Sequence, residues 1–256
     1  MKTVLITGGA KRLGLALTSS FLEQGFFVIS HHHLTPFDID QLSPAASRCK
    51  AHLSTFAFDL GKIIDAESAA EFFQRGNPEG RDIDILINNA SRFEYDRPGS
   101  LDVDQFKQAA SVNLLAPLLI MDAFLGSTAG HRKTVINMLD SRVISPNMDY
   151  LSYTLSKVAL GTATRMYAIA FEGRASIYGV APSMFLESGP LTTGRVPELA
   201  SINLTRTPVT LEDVVDAVKF CAGGVLQSGS ILPVDGGQHV MNLKRDVAYL
   251  QQDPSK

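Results

Sequence analysis

Tyr153 and Lys157 are the residues of this chain best spaced to do chemistry together. They stand four apart in the apolar run Tyr-Thr-Leu-Ser-Lys-Val-Ala-Leu, a spacing that puts a phenol and an ammonium on one face of a helix. A neighbouring cation favours the phenolate. Lys157 is therefore expected to lower the Tyr153 pKa and make it a usable acid or base nearer neutral pH. A carboxylate, Asp140, stands thirteen residues before Tyr153 and directly follows the strand-like run Thr-Val-Ile-Asn-Met-Leu. Phenol, ammonium and carboxylate together make a proton-transfer set.

A second constellation lies near the first residue. A glycine-rich turn between a strand and a helix lets backbone N–H groups and the helix N-terminus meet a pyrophosphate. Thr7-Gly8-Gly-Ala-Lys11-Arg12-Leu13-Gly14 occupies such a place, with Arg12 where a middle glycine is usual. NAD-selective sites put a carboxylate after the second strand, on the ribose 2′-OH. Here Phe27-Val-Ile-Ser-His31-His-His33-Leu34-Thr35 is followed by no acid before Asp38. Lys11 and Arg12 offer cations to a 2′-phosphate, and His31, His33 and Thr35 offer donors, so the expected cofactor is NADPH. A solvated strand end is the plain alternative for the histidines. No metal site is expected, because consecutive histidines on a strand point to opposite faces and no cysteine or carboxylate completes a set.

The elements that must position these groups follow from periodicity. Short apolar runs at Lys2–Thr7, Phe26–Ser30, Thr55–Phe58, Ile83–Ile87, Thr134–Met138, Ser176–Val180 and Ile231–Val234 predict seven strands. Helical patterns at Leu13–Gln24, Ala66–Gln74, Val103–Leu125, Leu151–Phe171 and Leu211–Ala222 separate most of them. Strands alternating with helices predict right-handed βαβ units: an α/β, single-domain Rossmann fold, doubly wound around a parallel seven-stranded sheet. The domain is expected to span residues 1–240, followed by a polar tail over 241–256. Residues 34–52 are loop-rich, and residues 183–208 carry Pro190, Pro197 and Pro208.

Composition sets the outer bounds. With 256 residues, 45% hydrophobic and 19% charged, the chain is ordinary for a soluble globule. A net charge of −3 without a basic block gives no electrostatic case for nucleic acid or an anionic membrane. Cys49 and Cys221 read as reduced thiols. The first strand begins at Lys2, leaving no room for a secretory signal, and the apolar stretch 114–125 is too short to span a bilayer. A cytoplasmic protein is expected.

The Tyr-x-x-x-Lys pair, the glycine-rich turn, Asn88-Asn89-Ala90 and the downstream Ala-Pro182-Ser183 resemble the short-chain dehydrogenase/reductase family over almost the whole chain to about Val240. In that family the position of Asp140 is normally a serine that donates to the substrate carbonyl. The resemblance implies that Asn89 and Ala90 brace the cofactor and the sheet, that Asp59 meets the adenine edge, and that Lys157 holds the ribose. It implies that Asn113 holds a water beside Lys157 and that 183–208 is a substrate lid. Pro182 and Ser183 match a Pro-Gly element, and Val234-Asp-Gly-Gly237 matches the closing strand and turn. It implies a homotetramer through helices 103–125 and 151–171, whose apolar residues cover more than one face. Leu34 departs from the arginine that related reductases often carry.

Four or five positions narrow the resemblance to the pteridine and dihydromonapterin reductase branch: Arg12, Asn88-Asn-Ala-Ser91 followed by Phe93, and the set Asp140, Tyr153 and Lys157. By that resemblance Phe93 stacks on the pterin, Ser91 and Arg12 hydrogen-bond pterin or cofactor, and Met184, Phe185 and Leu186 line the substrate pocket. An ionised Asp140 would repel an oxyanion forming on a ketone. It suits a C=N acceptor, where a proton must reach nitrogen and a heterocycle offers N–H groups. Desolvated, Asp140 could instead be partly protonated and donate. The expected activity is NADPH-dependent reduction of a dihydropterin or dihydrofolate-like ring. The alternatives are a carbonyl reductase acting on an oxoacyl thioester or sugar ketone, and a non-catalytic NADPH-binding sensor.

Overall fold

In a computed structural model describing residues 1–126, 132–188 and 192–250, seven parallel strands form one sheet in the order β3-β2-β1-β4-β5-β6-β7. The strands are β1 (Thr3–Ile6), β2 (Phe27–His32), β3 (Leu53–Ala57), β4 (Ile85–Asn88), β5 (Lys133–Met138), β6 (Ala175–Pro182) and β7 (Ile231–Val234). The helices are α1 (Arg12–Glu23), α2 (Pro44–Ser47), α3 (Ala66–Gly76), α4 (Val103–Ala110), α5 (Ala116–Gly126), α6 (Leu151–Ala170), α7 (Val196–Ala200) and α8 (Leu211–Ala222). Pro190 and residues 251–256 lie outside the described residues.

Successive strand residues face opposite ways, and the core splits accordingly. Val4 and Ile6 of β1 pack with Leu17 and Phe21 of α1 and Val214 and Val218 of α8. Leu5, between them, packs on the other face with Phe72 of α3, Ile120 and Phe124 of α5 and Leu160 of α6. Both faces are thus buried, which is why the strands read as continuous apolar runs rather than alternating ones. The strand order reverses direction between β1 and β4, and in such sheets ligands bind outside the carboxyl ends of the strands at that point.

The expected single helix over 103–125 is instead two helices joined by a π turn at Ser111–Leu115. Pro117 gives the reason. It has no N–H to offer the carbonyl of Asn113, and its ring would crowd that carbonyl in a regular helix, so the chain widens there. The inserted residue turns Asn113 fully inward. The run 103–126 is also long and apolar enough to cross a membrane, unlike its 114–125 portion alone, but Ala116, Ile120, Met121 and Phe124 are packed in the core.

Residues 241–250, the described part of the expected tail, are not loose. Val247 and Ala248 are buried beside Leu199 of α7, and Asp246 is 6% exposed. The reason is electrostatic as well as apolar, because Asp149, itself fully buried, accepts from the Arg245 Nε at 2.9 Å and the Asp246 N–H at 2.8 Å.

Candidate active site

The carboxyl ends of β1, β4, β5 and β6 open into a cleft of about 610 Å³, lined on one side by Gly8 to Gly14 and on the other by Asp140, Tyr153 and Lys157. The glycine-rich turn is shaped by contact rather than by propensity alone. Gly8 sits at φ +66° with Ala90 against it, and a Cβ on Gly14 would lie 1.9 Å from the Gly8 carbonyl. The first turn of α1 has no acidic residue, and Lys11 at its head makes no side-chain cap. Its N–H groups therefore face the cleft without an internal anion. Arg12 adopts φ +54°, a left-handed conformation that costs a side-chain-bearing residue about 1 kcal/mol. Its guanidinium donates across the cleft mouth to the Glu187 carbonyl.

Asn89 ties two strand ends together. Its side-chain NH₂ donates to the carbonyls of Thr7 (2.9 Å) and Gly8 (3.1 Å), while Asn89 N–H and Ala90 N–H both donate to the Thr7 hydroxyl at 3.0 Å. His31 completes the brace. Gly8 N–H donates to its Nδ1 (3.1 Å), which leaves Nε2 to donate to the Phe58 carbonyl (2.9 Å). The ring is 1% exposed and packed among Phe56 and Phe72, and this burial pulls its pKa down to about 4. His31 is therefore a neutral clamp on the turn, not a donor to a 2′-phosphate. His33, Leu34 and Thr35 are exposed at the cleft margin with Lys11. Asp59 caps the turn at Leu60–Lys62 by accepting from the Gly61 N–H at 2.9 Å, and it lies 3.9 Å from His33.

Asp140, Tyr153 and Lys157 sit where β5 ends and α6 begins. Asp140 Oδ2 accepts from the Tyr153 hydroxyl at 3.1 Å and from Arg142 Nη1 at 2.8 Å, and its Oδ1 accepts from the Arg142 N–H at 2.9 Å. With these donors aimed at it, the side chain is placed to be an acceptor and an ion-pair partner rather than a proton donor. Lys157 is 2% exposed and donates to the Met138 carbonyl at 2.7 Å. Burial pushes its ammonium down to about 8, against the pull of Asp140.

Tyr153 departs from expectation. Burial and the adjacent Asp140 carboxylate push the phenol well above its usual value, and the cation that opposes them is Arg142 rather than Lys157. The expected activation by Lys157 fails because desolvation outweighs a cation whose nitrogen is 5.7 Å from the ring and directed at a carbonyl. Burial and the Asp140 carboxylate both act against ionisation of the phenol.

The Asn113 side chain is fully committed. It accepts from Arg92 N–H (2.7 Å) and the Ser91 hydroxyl (3.3 Å), and it donates to the Arg92 carbonyl (2.9 Å) and the Ser156 hydroxyl (3.1 Å). Only its main chain is left for a water beside Lys157. The side chain instead fixes the loop that carries Ser91 and Phe93. Phe93 stacks on Tyr150 at 4.1 Å between centroids and meets Tyr153 edge-on at 4.6 Å. Met184, Phe185 and Leu186 line the cleft, with Pro182 and Ser183 at the end of β6. The Ser183 hydroxyl is buried and has no hydrogen-bond partner.

Sequence reasoning missed Arg142, Tyr150 and Asp246. The Arg142 guanidinium is 5.2 Å from the Tyr150 ring and 5.7 Å from the Phe93 ring, and it also pairs with Asp246. Its one visible signal was a cation two residues after Asp140. Asp246, 104 residues further on, gave none.

Comparisons with known proteins agree with this fold. The short chain dehydrogenase family model matches residues 2–190. The dihydromonapterin reductase of Shigella sonnei (strain Ss046) is 25% identical over 240 residues, covering 93% of this chain and 96% of the relative. That of Escherichia coli (strain SMS-3-5 / SECEC) has the same identity and coverage. Among solved structures, FolM alternative dihydrofolate reductase 1 from Brucella suis in complex with NADP superposes with a TM-score of 0.77 at 27% identity, covering 93% of this chain and 95% of that one. The Brucella canis counterpart, complexed with NADP, gives 0.79 at 28% identity, covering 93% and 94%. From the sheet order, the Tyr153/Lys157 pair on α6 and the matched family model, the chain belongs to the short-chain dehydrogenase family.

Proposed function

We propose that this protein is an NADPH-dependent reductase of a dihydropterin or dihydrofolate-like ring. The observation that carries the reading is Asp140: a carboxylate hydrogen-bonded to the Tyr153 hydroxyl, ion-paired with Arg142, and opening on the cleft beside the Phe93 ring. The names and bound NADP of the relatives support it.

The cleft suits the cofactor. The uncapped N-terminus of α1 and the close approach of Gly8 to Gly14 suit a pyrophosphate. Lys11, Arg12, Leu13, Asn89, Ala90, Ser91, Pro182, Ser183 and Asp59 border the remaining length, and the orphan Ser183 hydroxyl needs a partner that a ligand can supply. Lys11, Thr35 and His33, the last with Asp59 at 3.9 Å, border the cleft margin, and Lys11 offers the cation for a 2′-phosphate. NADPH supplies the hydride when bound.

The chain's own residues supply the proton and the orientation. Tyr153, kept protonated, donates to the ring nitrogen. Asp140, held as an acceptor by Arg142, takes a ring N–H and so orients a heterocycle. It would stand against the oxyanion of a simple ketone. Phe93 offers a flat wall, and Met184, Phe185 and Leu186 close the apolar side. A homotetramer in the cytoplasm belongs to the same proposal.

The direct test is NADPH consumption with dihydromonapterin, dihydrobiopterin and dihydrofolate beside a ketone panel. Turnover of dihydropterins but not ketones is the expected result. Turnover of ketones alone would make the protein a carbonyl reductase, and no turnover at all would favour a sensor.

A further inference from the structure

The buried charges that reach Tyr153 begin in the C-terminal segment. Asp246 Oδ2 pairs with Arg142 Nη2, and Arg142 Nη1 pairs with Asp140, whose Oδ2 accepts from the Tyr153 hydroxyl at 3.1 Å. Arg142 is 9% exposed and Asp246 6%, so the guanidinium is shared between two carboxylates away from bulk water. Asp246 is itself rigidly held. Its Oδ1 accepts from the Ala248 N–H at 2.9 Å, and its own N–H donates to the buried Asp149 at 2.8 Å. A guanidinium held at both ends has its plane and reach fixed. Released at one end, it would be free to swing away from Asp140.

We propose that Asp246 is a positioning residue for proton delivery: it holds Arg142 so that the guanidinium fixes the Asp140 carboxylate against the Tyr153 hydroxyl. The inference rests on the reading above, in which Asp140 and Tyr153 serve the proton step. Asp246 also adds negative charge that keeps Tyr153 protonated, in the same sense as Asp140 and against Arg142. The other charged or titratable groups around it are accounted for. Lys157 on α6 donates to Met138, Tyr150 heads α6 and bonds Tyr249, Arg245 is paired with Asp149, and His239 with Asp235.

The test is Asp246→Asn, with Asp246→Glu as the conservative variant and Tyr153→Phe as a reference. A phenolate absorbance titration, taken as the difference from Tyr153→Phe, needs no substrate. NADPH affinity and the pH profile of kcat, on whichever acceptor the wild type reduces best, complete the set. In Asp246→Asn the released Arg142, which lowers the phenol pKa more strongly than Asp246 raises it, should leave Tyr153. The Tyr153 step should therefore move about one unit toward higher pH and kcat should fall about tenfold. NADPH binding should be unchanged, and Asp246→Glu should recover most of the loss. A folded Asp246→Asn with wild-type titration and kcat overturns the proposal. So does a loss of kcat with an unmoved phenolate step and no recovery in Asp246→Glu, since that is a structural effect alone. If Asp246→Asn does not fold, Arg142→Lys, whose ammonium cannot span both carboxylates, is read the same way and decides by the same outcomes. A wild type that ignores every dihydropterin overturns the proposed substrate, while the titration still decides Asp246.

Discussion

Tyr153 and His31 show how far a residue's type falls short of its role. Each was read for what it could donate or accept, and burial decided the outcome. His31 has the larger consequence for stability. Its pKa is about 4 in the folded chain against 6.5 when free. The unfolded chain therefore binds a proton between those values that the folded one does not. Stability is full above pH 6.5 and is lost as pH falls toward 4, by about 3 kcal/mol for this group. A His31→Gln variant should be less stable at neutral pH but show a flatter fall of melting temperature over that window. An equally steep fall in both proteins would contradict the neutral clamp. Tyr153, Lys157 and Asp140 were legible from spacing because helix and strand geometry fix where consecutive residues go. The sense of the Tyr153 shift was not legible, because it depends on Arg142 and on solvent exclusion, which arise only on folding.

At the scale of elements, the strands and α1 were readable because parallel sheets bury both faces and leave unbroken apolar runs between turn residues. The π turn at Ser111–Leu115 was not foreseen, although Pro117 announces it. A periodicity reading treats a proline early in an apolar run as an interruption, whereas here it shifts the helical phase and buries Asn113. The glycine-rich turn makes the sharpest prediction at this scale. Because a Cβ on Gly14 would meet the Gly8 carbonyl at 1.9 Å, Gly14→Ala must push α1 away from the turn. NADPH affinity, followed by cofactor fluorescence, should weaken roughly tenfold or more, with Asp140, Tyr153 and Lys157 untouched. Unchanged affinity would mean that the α1 N-terminus does not hold the pyrophosphate.

For the whole molecule, the site is completed by parts remote in sequence. The loop after β4 is fixed by Asn113 on the π turn, the loop after β5 by Asp246 from the C-terminal segment, and the turn after β1 by His31 on β2. Such long-range closure explains why 241–250 read as a tail: its apolar residues, the buried Val247 and Ala248 among them, give no clear period, and the partners of Arg245 and Asp246 lie about a hundred residues away. The central claim, that Asp140 makes this cleft a dihydropterin site, is tested most directly by comparing wild type and Asp140→Ser for NADPH consumption with dihydromonapterin and with ketones. The account predicts that the variant still binds NADPH and loses most dihydropterin turnover, by about a hundredfold. Unchanged dihydropterin kinetics in Asp140→Ser would remove Asp140 from the mechanism and contradict the account.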